Sequence, residues 1–164
     1  MLVFTNGCFD ILHPGHIDLL KRARALGDRL VVGINSARSV SAIKGPGRPL
    51  QSEEARKDVL LGLRSVDDVV IFDELTPERI IADLKPDVLV KGGDWKVDEI
   101  IGADIVRSYG GSVVSLPLVE GYSTTQIVER RSDVEHAGTP PTEASEDISL
   151  SEHIDVMNAG AAGC

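Results

Sequence analysis

Leu2-Val3-Phe4-Thr5-Asn6-Gly7-Cys8-Phe9-Asp10-Ile11-Leu12-His13-Pro14-Gly15-His16 is followed by a segment in which Ile17, Leu19, Leu20, Ala23 and Leu26 recur at helical spacing. A β-branched and aromatic run that ends in Asn-Gly predicts a strand handing over to a helix through a tight turn. Pro14 suits the first helical turn. His13 and His16, three apart across that start, then lie on one side of the end where unpaired N–H groups and the positive dipole collect. Such an end binds anions, and the dipole disfavours a cation there, so two histidines make sense when an anion arrives.

Outward from this stretch, short apolar runs alternate with helical segments. Residues 2–5, 29–34, 68–72, 88–91 and 112–116 read as strands, and their spacing calls for crossover helices. One helix is expected from Thr76 as N-cap, with Pro77 next, Ile80, Ile81 and Leu84 turned inward, and a stop at Lys85-Pro86. Another is expected from Ser52 to about Arg64, and the stretch Asn35–Gln51, rich in Ser, Gly and Pro, reads as a functional loop. The pattern predicts an α/β, Rossmann-like fold: a parallel five-stranded sheet with helices on both faces and ligands at the carboxyl ends of its strands.

The 164 residues allow one domain with a substantial core. The formal charge of −9 is unevenly spread: residues 132–164 hold seven acids and no Lys or Arg, which leaves 19 acids against 17 bases in residues 1–131. A nearly neutral body offers no footprint for nucleic acid. The acidic tail 132–164, with Thr139-Pro140-Pro141-Thr142 and no aromatic residue, has the composition of a disordered segment, and its Ile148, Leu150, Ile154, Val156 and Met157 are the alternative basis for a partner-binding stretch. A strand that begins at Leu2 leaves no room for a leader, and no apolar run reaches the ~18 residues of a membrane span, so a cytoplasmic protein with no membrane partner is expected. Cys8 and Cys164 suggest neither a disulfide framework nor a thiolate metal site.

Phe9-Asp10-Ile11-Leu12-His13-Pro14-Gly15-His16 resembles the HxGH motif of the nucleotidyltransferases related to glycerol-3-phosphate cytidylyltransferase, with the heptose 1-phosphate adenylyltransferases as the nearest group. The resemblance extends to about Arg131 through Thr5-Asn6-Gly7-Cys8-Phe9-Asp10, Lys44-Gly45-Pro46-Gly47-Arg48-Pro49, Val90-Lys91-Gly92-Gly93-Asp94 and Val119-Glu120-Gly121-Tyr122-Ser123-Thr124-Thr125. It implies that a phosphate oxygen of an acceptor attacks the α-phosphorus of a nucleoside triphosphate while pyrophosphate leaves. Positioning and electrostatic stabilisation carry such a reaction without a protein nucleophile.

By resemblance, His13, His16 and Lys44 are the catalytic set. Thr5, Asn6, Gly7, Cys8, Phe9, Gly15, Lys91, Gly92, Tyr122, Ser123, Thr124 and Thr125 line the nucleotide. Asp10, Arg48, Asp94 and Trp95 are supporting residues. Asp10 has three readings, as partner of a cation, partner of a histidine, or turn carboxylate; Trp95 either stacks on ligand or packs. The implied partners are ATP with Mg2+ and a sugar 1-phosphate, with no metal held by the protein alone and a homodimer as the family's usual state.

One departure shifts the substrate. The cytidylyltransferases carry an arginine shortly before Glu-Gly, where this chain reads Leu116-Pro117-Leu118-Val119-Glu120, which points toward AMP transfer to D-glycero-D-manno-heptose 1-phosphate. Glycerol 3-phosphate with CTP, and a heptose enzyme using GTP, are the alternatives of the same class. A binding module without turnover is the alternative of another class. A nicotinamide-dependent oxidoreductase is opposed by the absence of G-x-G-x-x-G in the first turn, and a P-loop NTPase by the absence of G-x-x-x-x-G-K-[ST].

Overall fold

The computed structural model describes residues 1–119 and 121–122. The elements run β1 (Leu2–Gly7), α1 (Pro14–Arg24), β2 (Arg29–Asn35), α2 (Ala37–Lys44), α3 (Glu53–Leu61), β3 (Asp68–Phe72), α4 (Glu78–Leu84), β4 (Val88–Gly92), a 3-10 turn at Val97–Glu99, α5 (Ala103–Ser108) and β5 (Ser112–Leu116). All strand pairs are parallel, in the order β3-β2-β1-β4-β5. Strand order reverses between β1 and β4, where Thr5 lies opposite Val90. The crevice beyond their carboxyl ends is the place where such a sheet binds ligands.

Two apolar clusters flank the sheet. One joins Leu19, Leu20 and Ala23 of α1 and Leu60 of α3 to Val3, Val32 and Val90. The other joins Ile81 of α4 and Ala103 and Val106 of α5 to Phe4, Val31 and Leu89. Alternate residues of β1 and β2 thus point to opposite faces, as a central strand covered on both sides requires. The expected strands are all present, with β1, β2 and β4 running one or two residues further toward the crevice.

Two expectations are corrected. The stretch Asn35–Gln51 is not all loop: α2 occupies Ala37–Lys44, capped by Ser36, whose Oγ accepts the amide of Ser39 at 3.2 Å, and it turns Val40 into the interior. In α4, Pro77 rather than Thr76 stands at the N-cap position, and the Thr76 hydroxyl donates to the Glu78 carboxylate at 2.8 Å. That side chain therefore serves a neighbouring side chain and not the helix amides. The helix expected from Ser52 starts there, with Ser52 as the N-cap of α3, and stops at Leu61, short of Arg64, while Lys85, in the left-handed region at φ 46°, ends α4 where Lys85-Pro86 predicted.

Ser123, Thr124, Thr125, the helix expected after them and the acidic tail lie outside the described residues. Among the described residues no helix is long and apolar enough to cross a membrane.

Candidate phosphate-binding site at the sheet crevice

His13 takes the N-cap position of α1 with extended backbone (φ −141°), and its carbonyl accepts the amides of His16 at 2.9 Å and Ile17 at 3.3 Å. Its side chain makes no cap, so the imidazole is left to face its neighbour. The His13 and His16 rings stack, with centroids 3.8 Å apart and planes 25° from parallel. Gly15 makes room for this: a Cβ there would stand 3.0 Å from His13 Nδ1. Phe9, in the left-handed region at φ 47°, turns its buried ring against His16 at 5.1 Å between centroids. Gly7 is needed beneath that ring, since a Cβ would lie 2.9 Å from Phe9 Cε2. Phe9 is thus the wall behind the histidines, with its side chain in the core.

Burial first, then the proximity of His13 and the Lys44 ammonium, lowers the pKa of His16 to about 4; a backbone contact with Ile11 offsets part of this. Burial also lowers His13. Both rings are therefore held neutral at neutral pH, and the Nδ1 atom of each is buried without a hydrogen-bond partner among the described residues. Lys44 reaches this place as the last residue of α2, an exposed helix end rather than a loop.

Asp10, only 6% exposed, resolves to one of its three readings. Its carboxylate accepts the amides of Leu50 and Gln51 at 2.8 to 3.0 Å and pairs with Arg48 Nη1 at 3.2 Å. It holds a cation and a neighbouring loop, and no histidine. Arg56 on α3, absent from the sequence expectations, is a second tie: buried at 1% exposure, it donates from Nη1 to the Cys8 carbonyl at 2.8 Å and from Nε to the Gln51 carbonyl at 3.2 Å. Within its helix the sequence offers no signal for this.

Thr5, Gly7 and Cys8 are buried, and Thr5 Oγ1 has no partner among the described residues. Asn6, half-buried near the end of β1, is paired in register with Gly33. Beside it on β4 come Lys91 and Gly92, both half-buried. Gly92 serves packing: a Cβ would meet Leu19 Cδ2 at 2.7 Å and Leu118 Cδ2 at 3.0 Å, so its smallness admits α1 rather than a ligand. Trp95 also packs. It lies against the α4/α5 cluster, on the opposite sheet face from α1, and its Nε1 donates to the Gly92 carbonyl at 3.2 Å. Asp94 is exposed. Tyr122 comes back to the histidines, its ring nearly parallel to His13 at 6.4 Å.

The structure thus brings together His13, His16, Phe9, Gly15, Lys44 and Tyr122, with Asp10 and Arg48 behind them, and sets Trp95 apart. Beside the pair, a depression of about 520 Å³ is lined by Leu12, His13, Pro14, Ile17, Asp18 and Lys21. Among the described residues no three His, Cys, Asp or Glu side chains are grouped to hold a metal ion. Neutral imidazoles, an ammonium and a helix start form an anion receptor.

Residues 4–130 match the family model described as cytidylyltransferase-like. The chain is 61% identical over 127 residues to the bifunctional protein HldE of Gluconobacter oxydans, a match that covers 77% of this chain and 26% of that protein. It therefore spans about a quarter of the length of the curated relatives it matches. A crystal structure of the lipopolysaccharide core biosynthesis protein from Thermoplasma volcanium superposes with a TM-score of 0.59 at 30% identity, covering 75% of this chain and 98% of that one. Pantothenate synthetase from Thermus thermophilus, at 20% identity and a TM-score of 0.55 over 80% of this chain and 64% of that one, shares the fold. The parallel sheet, the paired histidines at its switch point and a family match over most of the chain converge: the chain belongs to the cytidylyltransferase-like family of nucleotidyltransferases.

Proposed function

We propose that the protein transfers AMP from ATP to D-glycero-D-manno-heptose 1-phosphate, giving ADP-heptose and pyrophosphate. The observation that carries the transfer chemistry is the stacked, neutral His13–His16 pair beside Lys44 at the start of α1. The heptose reading is supported by the resemblance to heptose 1-phosphate adenylyltransferases, by the HldE relatives and by the likeness to the lipopolysaccharide core biosynthesis protein of Thermoplasma volcanium.

In this reading the acceptor phosphate oxygen forms a bond to the α-phosphorus, and the bond from that phosphorus to the bridging oxygen of pyrophosphate breaks. Negative charge grows on the non-bridging and leaving oxygens. His13 and His16 donate hydrogen bonds to those oxygens, Lys44 lies against the leaving phosphates, and Tyr122, Ser123, Thr124 and Thr125 bind the nucleotide. Lys91 and Asp94 at the β4 edge of the crevice approach the ribose or the acceptor. The cations and neutral donors of the receptor suit a polyanion, and a magnesium ion would come with the triphosphate, whose oxygens it would neutralise. ATP and sugar phosphates of this kind place the reaction in the cytoplasm.

The test is magnesium-dependent pyrophosphate release from ATP, CTP and GTP, each with heptose 1-phosphate or glycerol 3-phosphate. Release with ATP and the heptose alone is expected, with kcat reduced about 10²-fold or more in His16→Ala, the scale for losing one preorganised donor at developing charge. Release with CTP and glycerol 3-phosphate alone would replace the substrate. Binding of triphosphate without turnover in any combination would favour a regulatory module.

A further inference from the structure

Arg56 is the largest fully buried side chain among the described residues. A guanidinium keeps its charge in any ordinary environment, so burying one is costly unless its donors are well used. Its hydrogen bonds go to two main-chain carbonyls, those of Cys8 and Gln51, while Nη2 is buried without a partner among the described residues. Those carbonyls belong to the two segments that build the anion receptor. Cys8 is in the turn after β1, next to the strained Phe9. Gln51 ends the connection that carries Arg48, and Asp10 ties the same two segments through its carboxylate and through its carbonyl, which accepts the Gln51 side-chain amide. Between α2 and this anchorage stand Gly45 and Gly47, both at positive φ with open space around them, and the loop's other tie is the Ser41 hydroxyl, which donates to the Arg48 carbonyl.

We propose that Arg56 is a positioning residue: by bridging the Cys8 and Gln51 carbonyls it locks the turn after β1 to the α2–α3 connection, so that the His13–His16 pair and the Lys44–Arg48 cations form one receptor before any triphosphate arrives. The kinetic part of this rests on the transfer reaction proposed above; the structural part does not. Only a planar fork spans two carbonyls in this way. A lysine supplies the charge but not the bridge.

The full chain is compared with Arg56→Lys and Arg56→Gln, by amide hydrogen exchange and by steady-state kinetics. In both variants the amides of Leu50 and Gln51 should exchange at least tenfold faster while those of β1, β2 and β4 stay protected. In Arg56→Lys, kcat should fall at least tenfold with the acceptor KM within about threefold. Unchanged exchange at Leu50 and Gln51 overturns the proposal whatever the rate does, and so does loss of protection across the whole sheet in both variants, which would make Arg56 a general core residue. If the unsubstituted protein transfers nothing to any acceptor, the functional reading fails while the exchange result still decides the role of Arg56.

Discussion

His16 is a histidine whose surroundings oppose its proton. Burial, His13 and Lys44 together bring its pKa from the ordinary 6.5 to about 4. In the free protein this prevents two stacked imidazoles from repelling one another at the positive end of a helix. The sign of the consequence is fixed by linkage: below about pH 6.5 the unfolded chain takes up a proton that the folded chain refuses until about pH 4. The contribution is therefore fully present above pH 6.5 and is lost as pH falls toward 4. At 1.36 kcal/mol per pKa unit, discounted for the ring's partial contact with solvent, it amounts to about 2 kcal/mol. Chemical denaturation of the unsubstituted protein and of His16→Asn at a series of pH values should show their stability difference shifting by that amount across this window, with the histidine protein losing more. A parallel pair of curves would mean that His16 titrates normally.

At the scale of the element, the start of α1 separates stability from function. Gly15 sits in the first turn, where alanine is the better helix former by about 1 kcal/mol. A Cβ there would meet His13 Nδ1 at 3.0 Å and Tyr122 Cβ at 3.5 Å, so the ring and not the helix must yield. Gly15→Ala should leave the unfolding midpoint unchanged or raised, while kcat/KM for pyrophosphate release falls about 10²-fold, the usual effect of a misplacement approaching 1 Å. A variant as active as the parent would show that the His13 ring is free to shift. The start of α1 was legible in the sequence because its signals are adjacent: Asn-Gly, Pro14 and the helical spacing that follows. The course of α2 was not, because its inward stripe shrinks to Val40 and a half-buried Ile43 among serines, and a capping serine reads equally well as loop. Thr76 misled for a related reason, since Glu78 captures its hydroxyl.

Over the whole molecule, the alternation of strands and helices was enough to read a parallel sheet with a crevice, since right-handed crossovers and burial on both faces leave few other arrangements. The ties that shape the site were not readable. Asp10 to Leu50 spans 40 residues and Arg56 to Cys8 spans 48, and nothing local distinguishes such an aspartate or arginine from a turn or surface residue. The same division between sheet and site predicts where the chain can be shortened. The buried apolar residues among those described run from Val3 to Val106, and β5 closes the sheet at Leu116. Tyr122 approaches the histidines beyond that point, and Ser123, Thr124 and Thr125 follow it. A chain ending after Arg131 should therefore keep both its thermal unfolding midpoint, within a few degrees, and its rate of pyrophosphate release. One ending after Val119 should keep a folded sheet by circular dichroism but lose at least tenfold in kcat/KM for the triphosphate, since donors lost at the phosphates are worth that much or more. Equal activity in the two shortened chains would remove Tyr122 and the Ser-Thr-Thr segment from the site. Loss of activity in the longer one would give the acidic tail a part in the reaction that its composition does not suggest.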